Sequence, residues 1–292
     1  MPSTKDLRDR IKSVSNTAKV TGAMQMIAAS KMNRAQNMVR AGRPYADRIR
    51  QVLGDLAALA ARDEDAPTVD LLKVRPVKKT LVLLVTPDRG LAGAIVGNLK
   101  RSTSDFIRNE EGEVSVIAVG RKGERYITQT GNDLLASFSV PDRPTLNDTV
   151  AIGKMLVDEY RSERVDRVVL IYAQFINTAV QKVVARQLLP VEAPQRGTDE
   201  VEKLEELDYI YEPSISEVLE SLVPRYIETQ VCHGILEAFA SEHSGRMIAM
   251  QNATDNANEI VEGLTLDLNK ARQESITAEL LDIVGGVAAL EG

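Results

Sequence analysis

An α/β fold is predicted for this 292-residue chain, with long N- and C-terminal helices forming an antiparallel coiled coil and a central Rossmann-like α/β domain between them. Three observations predict it. Apolar residues near both ends recur at steps of four and three, the spacing that draws a single seam along a helix. The stretch from Arg225 to Val284 contains no proline, and roughly 60 helical residues at about 1.5 Å each reach on the order of 90 Å, too long to pack inside a domain of this size. Between the ends, short β-branched apolar runs alternate with helical patterns, as parallel strands and their crossover helices do. The expected divisions are 1–62, 75–212 and 213–292.

The N-terminal helix starts at Ser3 or Thr4, either of which can cap it, and Leu7, Ile11, Val14 and Ala18 form its seam. Gly42 and Pro44 predict a break or kink, with a second helical stretch from Tyr45 to Ala61 before the polar segment Arg62 to Pro67. Thr80–Val85, Val114–Val119 and Arg167–Ala173 read as buried strands, and Val180–Leu189 as a further one. Leu91–Asn109 and Asn147–Arg164 read as the intervening helices, and Pro190–Glu200 as an exposed loop. Glu212-Pro213-Ser214 supplies a helix start and Pro224 another. In the last helix Ala253, Ala257, Ile260, Leu264, Leu268 and Ala271 are expected along the seam.

Composition narrows the function classes. Aromatic residues make up only 4% of the chain and there is no Trp, which suits an elongated protein better than one large core. The single cysteine, Cys232, cannot form an internal disulfide. The start, Met1-Pro2-Ser3-Thr4-Lys5, turns charged at once, and no run of about 18 uncharged apolar residues follows, so neither export nor membrane crossing is expected. The net charge of −6 conceals an asymmetry: residues 1–50 hold 11 basic against three acidic residues, +8, leaving −14 elsewhere. That basic arm has Tyr45 as its only aromatic and interleaves its charges with a seam, which favours a partner protein with acidic loops over nucleic acid.

No motif for chemistry survives inspection. The loop from Thr86 to Ala94 follows a strand and precedes a helix, yet it lacks the glycine pattern of dinucleotide sites and the lysine of P-loops. A tight turn is the expected reading, and a solvated basic turn that of Gly120-Arg121-Lys122-Gly123. His233 and His243 stand ten apart on one helix, without the i,i+4 partner a metal helix uses. Ser241, Glu242 and His243 are helix neighbours pointing about 100° apart, which cannot align a nucleophile, base and orienter. No catalytic, cofactor or metal site is expected. The run Ile283 to Leu290 is apolar where chain ends are usually polar: it is either a tail folded onto the protein or, the favoured reading, one seated in an apolar sleeve made by something else.

Two sets of motifs stand at the ends of the chain: Leu7-Arg8-Asp9-Arg10-Ile11, Lys19-Val20-Thr21, Ala23-Met24-Gln25-Met26 and Ala28-Ala29-Ser30-Lys31 near the start, and Arg246-Met247-Ile248-Ala249-Met250, Ala253-Thr254-Asp255-Asn256-Ala257 and the run Asn269 to Leu280 near the end. They resemble the N- and C-terminal helices of a known family, the gamma subunits of bacterial-type F-type ATP synthases. Asp88-Arg89-Gly90-Leu91, Gly120 to Gly123, Leu188-Leu189-Pro190 and Tyr211 to Ser214 match its landmarks in order, so the resemblance spans the chain.

The resemblance implies a non-catalytic rotor shaft of a proton-translocating complex, coupling rotation of a membrane c ring to conformational change in catalytic beta subunits. Its implied partners are alpha and beta subunits, an epsilon subunit and the c ring, with membrane contact only through the complex, on the cytoplasmic side of a bacterial inner membrane. Met24 matches the position facing an acidic lever loop of beta, with the cationic Lys19 and Lys31 on the same arm as further partner contacts, and Arg272 and Gln273 match a pair that hydrogen-bonds a catch loop. Arg246, Thr277 and Glu279 match positions that affect coupling, and Ile283, Val284, Val287 and Leu290 the tip held in an apolar bearing. Gly22, where the family usually has a basic residue, departs from the pattern, as do Pro87, Ala92 and Ala94. The cysteine-bearing insertion of chloroplast forms is absent. Two other readings compete: a nucleotide-binding α/β enzyme with helical oligomerisation arms, and a static coiled-coil adaptor.

Overall fold

The computed structural model describes residues 3–60, 69–192, 212 and 214–291, with side chains to residue 285. The segments 61–68 and 193–211, and Pro213, lie outside the described residues, and with them the polar stretch after the first arm and most of the loop expected from Pro190 to Glu200. Pro190 and Val191, at that loop's start, are buried rather than exposed.

Helix α1 runs from Thr4 to Ala60 and helix α5 from Ile215 to Glu291. The Ser3 hydroxyl accepts from the Asp6 N–H at 3.1 Å while the Asp6 carboxylate accepts from the Ser3 N–H at 3.2 Å, a reciprocal cap at the start of α1. The break expected at Gly42 and Pro44 is not there, and Pro224 lies inside α5 rather than at its start. Each proline removes one helical hydrogen bond, a cost of about 3 kcal/mol. Buried neighbours on the same helix offset it: Ala46, Ile49 and Leu53 beyond Pro44, Leu219, Val223 and Ile227 around Pro224.

Between the long helices lie β1 (Lys79–Val85), α2 (Ile95–Asn109), β2 (Glu113–Val119), α3 (Arg121–Thr130), β3 (Asp133–Phe138), α4 (Leu146–Arg161), β4 (Arg167–Phe175) and β5 (Gln181–Leu189). The sheet order is β3-β2-β1-β4-β5, parallel except for β5, which pairs antiparallel with β4. Sequence reading missed α3 and β3. Helix α3 contains Gly123 and shows few apolar residues, and the edge strand β3 buries none of its residues fully, so neither carries a strong periodic signal.

Alternate residues of the central strands face two cores. Val82, Leu84, Val116, Val169 and Ile171 pack with Ile95 and Leu99 of α2 and Ile127 of α3. Leu81, Leu83, Val85, Ile117, Leu170 and Tyr172 share the other core with Ile152, Leu156 and Tyr160 of α4, Leu53 and Leu56 of α1, and a row of α5 from Leu219 to Ala238.

The chain divides into two compact units, Ser30–Gly245, which contains the sheet, and Met1–Ala29 with Arg246–Gly292. In the second unit the hydroxyls of Thr21 and Thr254 meet at 2.7 Å. Thr21 stands eight residues before Ala29 and Thr254 eight after Arg246, so the helices run antiparallel. Counting outward from that contact, the seams stay in step: Ala18 level with Ala257, Val14 with Val261, Ile11 with Leu264, Leu7 with Leu268, all buried or half-buried. Val261, not the expected Ile260, lies on the seam, and Ile260 is 49% exposed. The seam is keyed on Thr254 rather than Ala253, which restores regular four-three spacing from Met250 to Ala271.

The same alignment sets Thr4, the first residue of α1, level with Ala271. Helix α5 continues for 20 residues to Glu291, about 30 Å, and every side chain from Arg272 to Gly285 is exposed.

Replacing Leu170→Ala, at the centre of β4, should cost about 2–5 kcal/mol in denaturant unfolding, while exposed Val180→Ala should change stability by less than about 0.5 kcal/mol. A Cβ added at Gly22 would meet nothing nearer than Thr254 at 4.0 Å. Gly22→Ala should therefore stabilise the helix pair by about 0.5–1 kcal/mol, read as a higher thermal midpoint.

Candidate partner-binding surface

In a doubly wound sheet the place for a ligand is the crevice at the carboxyl ends of the strands where the order reverses, here between β1 and β4. The chain fills it with itself. At Gly245 of α5 an added Cβ would stand 2.6 Å from the Ala92 carbonyl oxygen and 2.7 Å from Ile95 Cδ1, so no side chain fits between α5 and the loop after β1. Ser244 donates its hydroxyl to the Thr178 carbonyl at 2.6 Å on the loop after β4.

The neighbouring helix terminus is sealed too. The free N–H groups at a helix start can bind phosphate, but those of α3 are taken. Arg121 N donates to Asp88 Oδ1 at 2.9 Å, Lys122 N to the Pro87 carbonyl at 3.2 Å, Gly123 N to Thr86 Oγ1 at 2.7 Å and Glu124 N to the Gly120 carbonyl at 3.2 Å. Gly120, at φ 93°, lies so close to the Thr86 carbonyl that a Cβ would overlap it. The basic turn expected here is thus the first turn of α3, anchored on Thr86, a residue that sequence reading gave no role. Its hydroxyl could not be singled out without knowing that β1 and β2 are adjacent.

Among the described residues no group of three or more His, Cys, Asp and Glu is placed to hold a metal. Ser241 is fully buried, which denies it the substrate access a nucleophile needs. Burial pushes the Cys232 thiol above its ordinary range, away from reactive thiolate character. His233 lies 3.8 Å from the buried Glu237. Burial, the dominant influence, lowers its pKa, against the pull of Glu237; Arg186 and Arg43 lower it further and Asp47 raises it. The same surroundings, burial first and Glu237 next, push the Tyr172 phenol up.

What remains for recognition is the outer surface of the helices. In the paired unit Lys19 is exposed, Met24 and Arg246 are half-buried, and Arg272, Gln273, Thr277 and Glu279 all point to solvent. Ile283 and Val284 are each 64% exposed on the bare end of α5, joined by Leu280 and Leu281. Val287 and Leu290 belong to the same helix, their side chains outside the described residues. Lys31 belongs to the sheet-bearing unit, where it forms an ion pair with Asp142. Sequence reading gave Asp142 no role, since the partners lie 111 residues apart.

The filled crevice and the exposed polar and apolar side chains of the long helices are the features of a chain built for contact with other proteins. Comparison with known proteins agrees. The ATP synthase family model matches residues 3–290. ATP synthase gamma chains of Dehalococcoides mccartyi and Roseiflexus castenholzii are 50% and 46% identical to this chain, over 97% and 99% of it and 98% and 99% of their own lengths. Among solved structures it resembles the central stalk and c-ring of Tetrahymena thermophila mitochondrial ATP synthase, at TM-score 0.62 and 25% identity over 80% of this chain and 99% of that one. A chain of the Euglena gracilis mitochondrial enzyme, at TM-score 0.68 and 17% identity, covers 98% of this chain and 94% of its own, and shares the fold. This chain belongs to the ATP synthase gamma-chain family, non-catalytic subunits of that enzyme. No helix among the described residues is long and apolar enough to cross a membrane.

The folded pKa of His233 lies below its ordinary value of 6.5, so the unfolded chain binds more protons as pH falls through that value. The stability associated with a neutral His233 is complete above pH 6.5 and is lost as pH drops toward the folded pKa. His233→Gln should flatten that limb of the stability–pH curve in denaturant titrations.

Proposed function

We propose that the chain is the central rotor stalk of a bacterial, proton-translocating ATP synthase, turned by a membrane c ring and pressing on catalytic beta subunits as it turns. The observation that carries this reading is the end of α5, where every described residue from Arg272 to Gly285 is exposed, Ile276, Leu280, Leu281, Ile283 and Val284 among them. Apolar side chains left in water on a single helix lose the benefit of burial, so they suit a sleeve supplied by other subunits. Alpha and beta subunits would form that sleeve and close it on Ile283, Val284, Val287 and Leu290. Epsilon and the c ring would grip the sheet-bearing unit, and the complex would hold the chain at the cytoplasmic face of the inner membrane.

Contact with beta is assigned to two places. Lys19 and Met24 would meet an acidic lever loop, joined by Lys31 once it exchanges Asp142 for a carboxylate of the partner. Arg272 and Gln273, exposed on the bare helix, would hydrogen-bond a catch loop, the guanidinium fork binding a carboxylate in bidentate fashion. Arg246, Thr277 and Glu279 would tune coupling. The chain would act by differential contact, stabilising in each beta subunit the conformation its current face fits best. A sealed crevice at β1 and β4 argues against the nucleotide-binding alternative.

Reconstitution with alpha and beta subunits tests this. Adding the chain should make ATP hydrolysis cooperative, and Arg272→Ala with Gln273→Ala should lower turnover by about ten-fold or more, the scale of lost charge-assisted hydrogen bonds. Equal activity with and without the chain, or an inert double variant, would remove the rotor reading.

A further inference from the structure

One cavity of the sheet-bearing unit, about 140 Å³, shares only the Lys31–Asp142 pair with the surfaces above. Three elements line it. Helix α1 contributes Lys31, Arg34 and Met38, at steps of three and four that place them on one face. Helix α5 contributes Leu236, Phe239 and His243, again one face, with the Phe239 and His243 rings 6.2 Å apart. The loop before α4 contributes Asp142 and Arg143.

The lining is divided by chemistry. Lys31, Arg34 and Arg143 bring three permanent positive charges against the single carboxylate of Asp142, which Lys31 already neutralises. The hydrogen bond from Lys31, and then the charges of Lys31, His243 and Arg89, hold the Asp142 carboxyl below its ordinary range although partial burial opposes them. The local field is therefore positive even beside the acid. Leu236, Phe239 and Met38 supply apolar walls, two aliphatic and one aromatic.

We propose that this cavity is a binding site for a small amphiphilic anion, a carboxylate or phosphate head carried on an apolar body about the size of one ring. The head meets Arg34 and Arg143, whose planar forks suit either oxyanion, and the body lies against Phe239 and Met38. A ligand seated there touches α1, α5 and the loop before α4 at once, bracing the Lys31–Asp142 pair. The site shares Lys31 with the surface assigned to beta, but its head group rests on Arg34 and Arg143, which that reading does not use, so either can fail without the other.

Isothermal titration of the full chain with phenyl phosphate, at constant ionic strength, tests the proposal. Saturable binding at one site is expected. Arg34→Gln with Arg143→Gln should weaken it by about ten-fold or more; both side chains are exposed, so the variant folds. Arg121→Gln with Lys122→Gln, a basic pair elsewhere on the unit, should leave affinity unchanged, and inorganic phosphate should bind more weakly than phenyl phosphate. Absence of saturable binding, equal weakening by both variants, or equal affinity for inorganic phosphate would each overturn the site.

Discussion

The sheet-bearing unit depends on one row of side chains, Leu219, Val223, Ile227, Val231, Ile235 and Ala238 of α5, all buried against the sheet. The row advances by four residues four times and then by three, a continuous stripe along the helix, and burying each of the larger members is worth about 1.5–3 kcal/mol. That burial fixes where α5 lies and how it is rotated. Pro224 is tolerated because the row continues on both sides of it. Further along, the same rotation presents Ser244 to the Thr178 carbonyl and Gly245 to the Ala92 carbonyl. The crevice that a sheet of this topology would offer a ligand is closed as a consequence of how the core is packed.

The polar groups near that crevice are turned inward. Thr86 ties β1 to the end of β2 and the start of α3, and Asp88 and Pro87 complete the set of acceptors. A helix start that could hold phosphate is spent on joining two strand ends. Recognition is thereby moved to the helices, where each seam leaves the opposite face of its helix in water. Small residues on the seams, the buried Ala18 and Ala257 and the hydrogen-bonded Thr21 and Thr254, are of the size that suits a close approach of two helices.

Charges in the sheet-bearing unit follow a different logic from those on the exposed helix end. Lys31 with Asp142 joins α1 to a loop, and Arg167 with Glu110 joins β4 to the end of α2. His233 with Glu237 is a pair within one helix, and its behaviour comes from burial rather than from the pairing. The long helices, the seam of α1 and four of the five strands were legible in the sequence, because each rests on local periodicity or spacing. Helix α3 and strand β3 were not, since a polar helix containing glycine and a half-buried edge strand carry little periodic signal. The uninterrupted course of both long helices was misread at their prolines, where tertiary burial outweighs a local cost.

By itself the sequence determined the heptad spacing at each end, the apolar runs that must become strands, the basic character of the first 50 residues and the apolar character of the run from Ile283 to Leu290. Tertiary structure decided the register of the two seams, and so moved Val261 inward in place of Ile260. It also decided that the β1–β4 crevice is closed, that Lys31 meets Asp142, and that α5 outruns α1 and leaves its end bare. Periodicity is a property of neighbours along the chain and can be read from it. Register, closure and overhang depend on which distant segments meet, and only the packing of α5 on the sheet and on α1 fixes that.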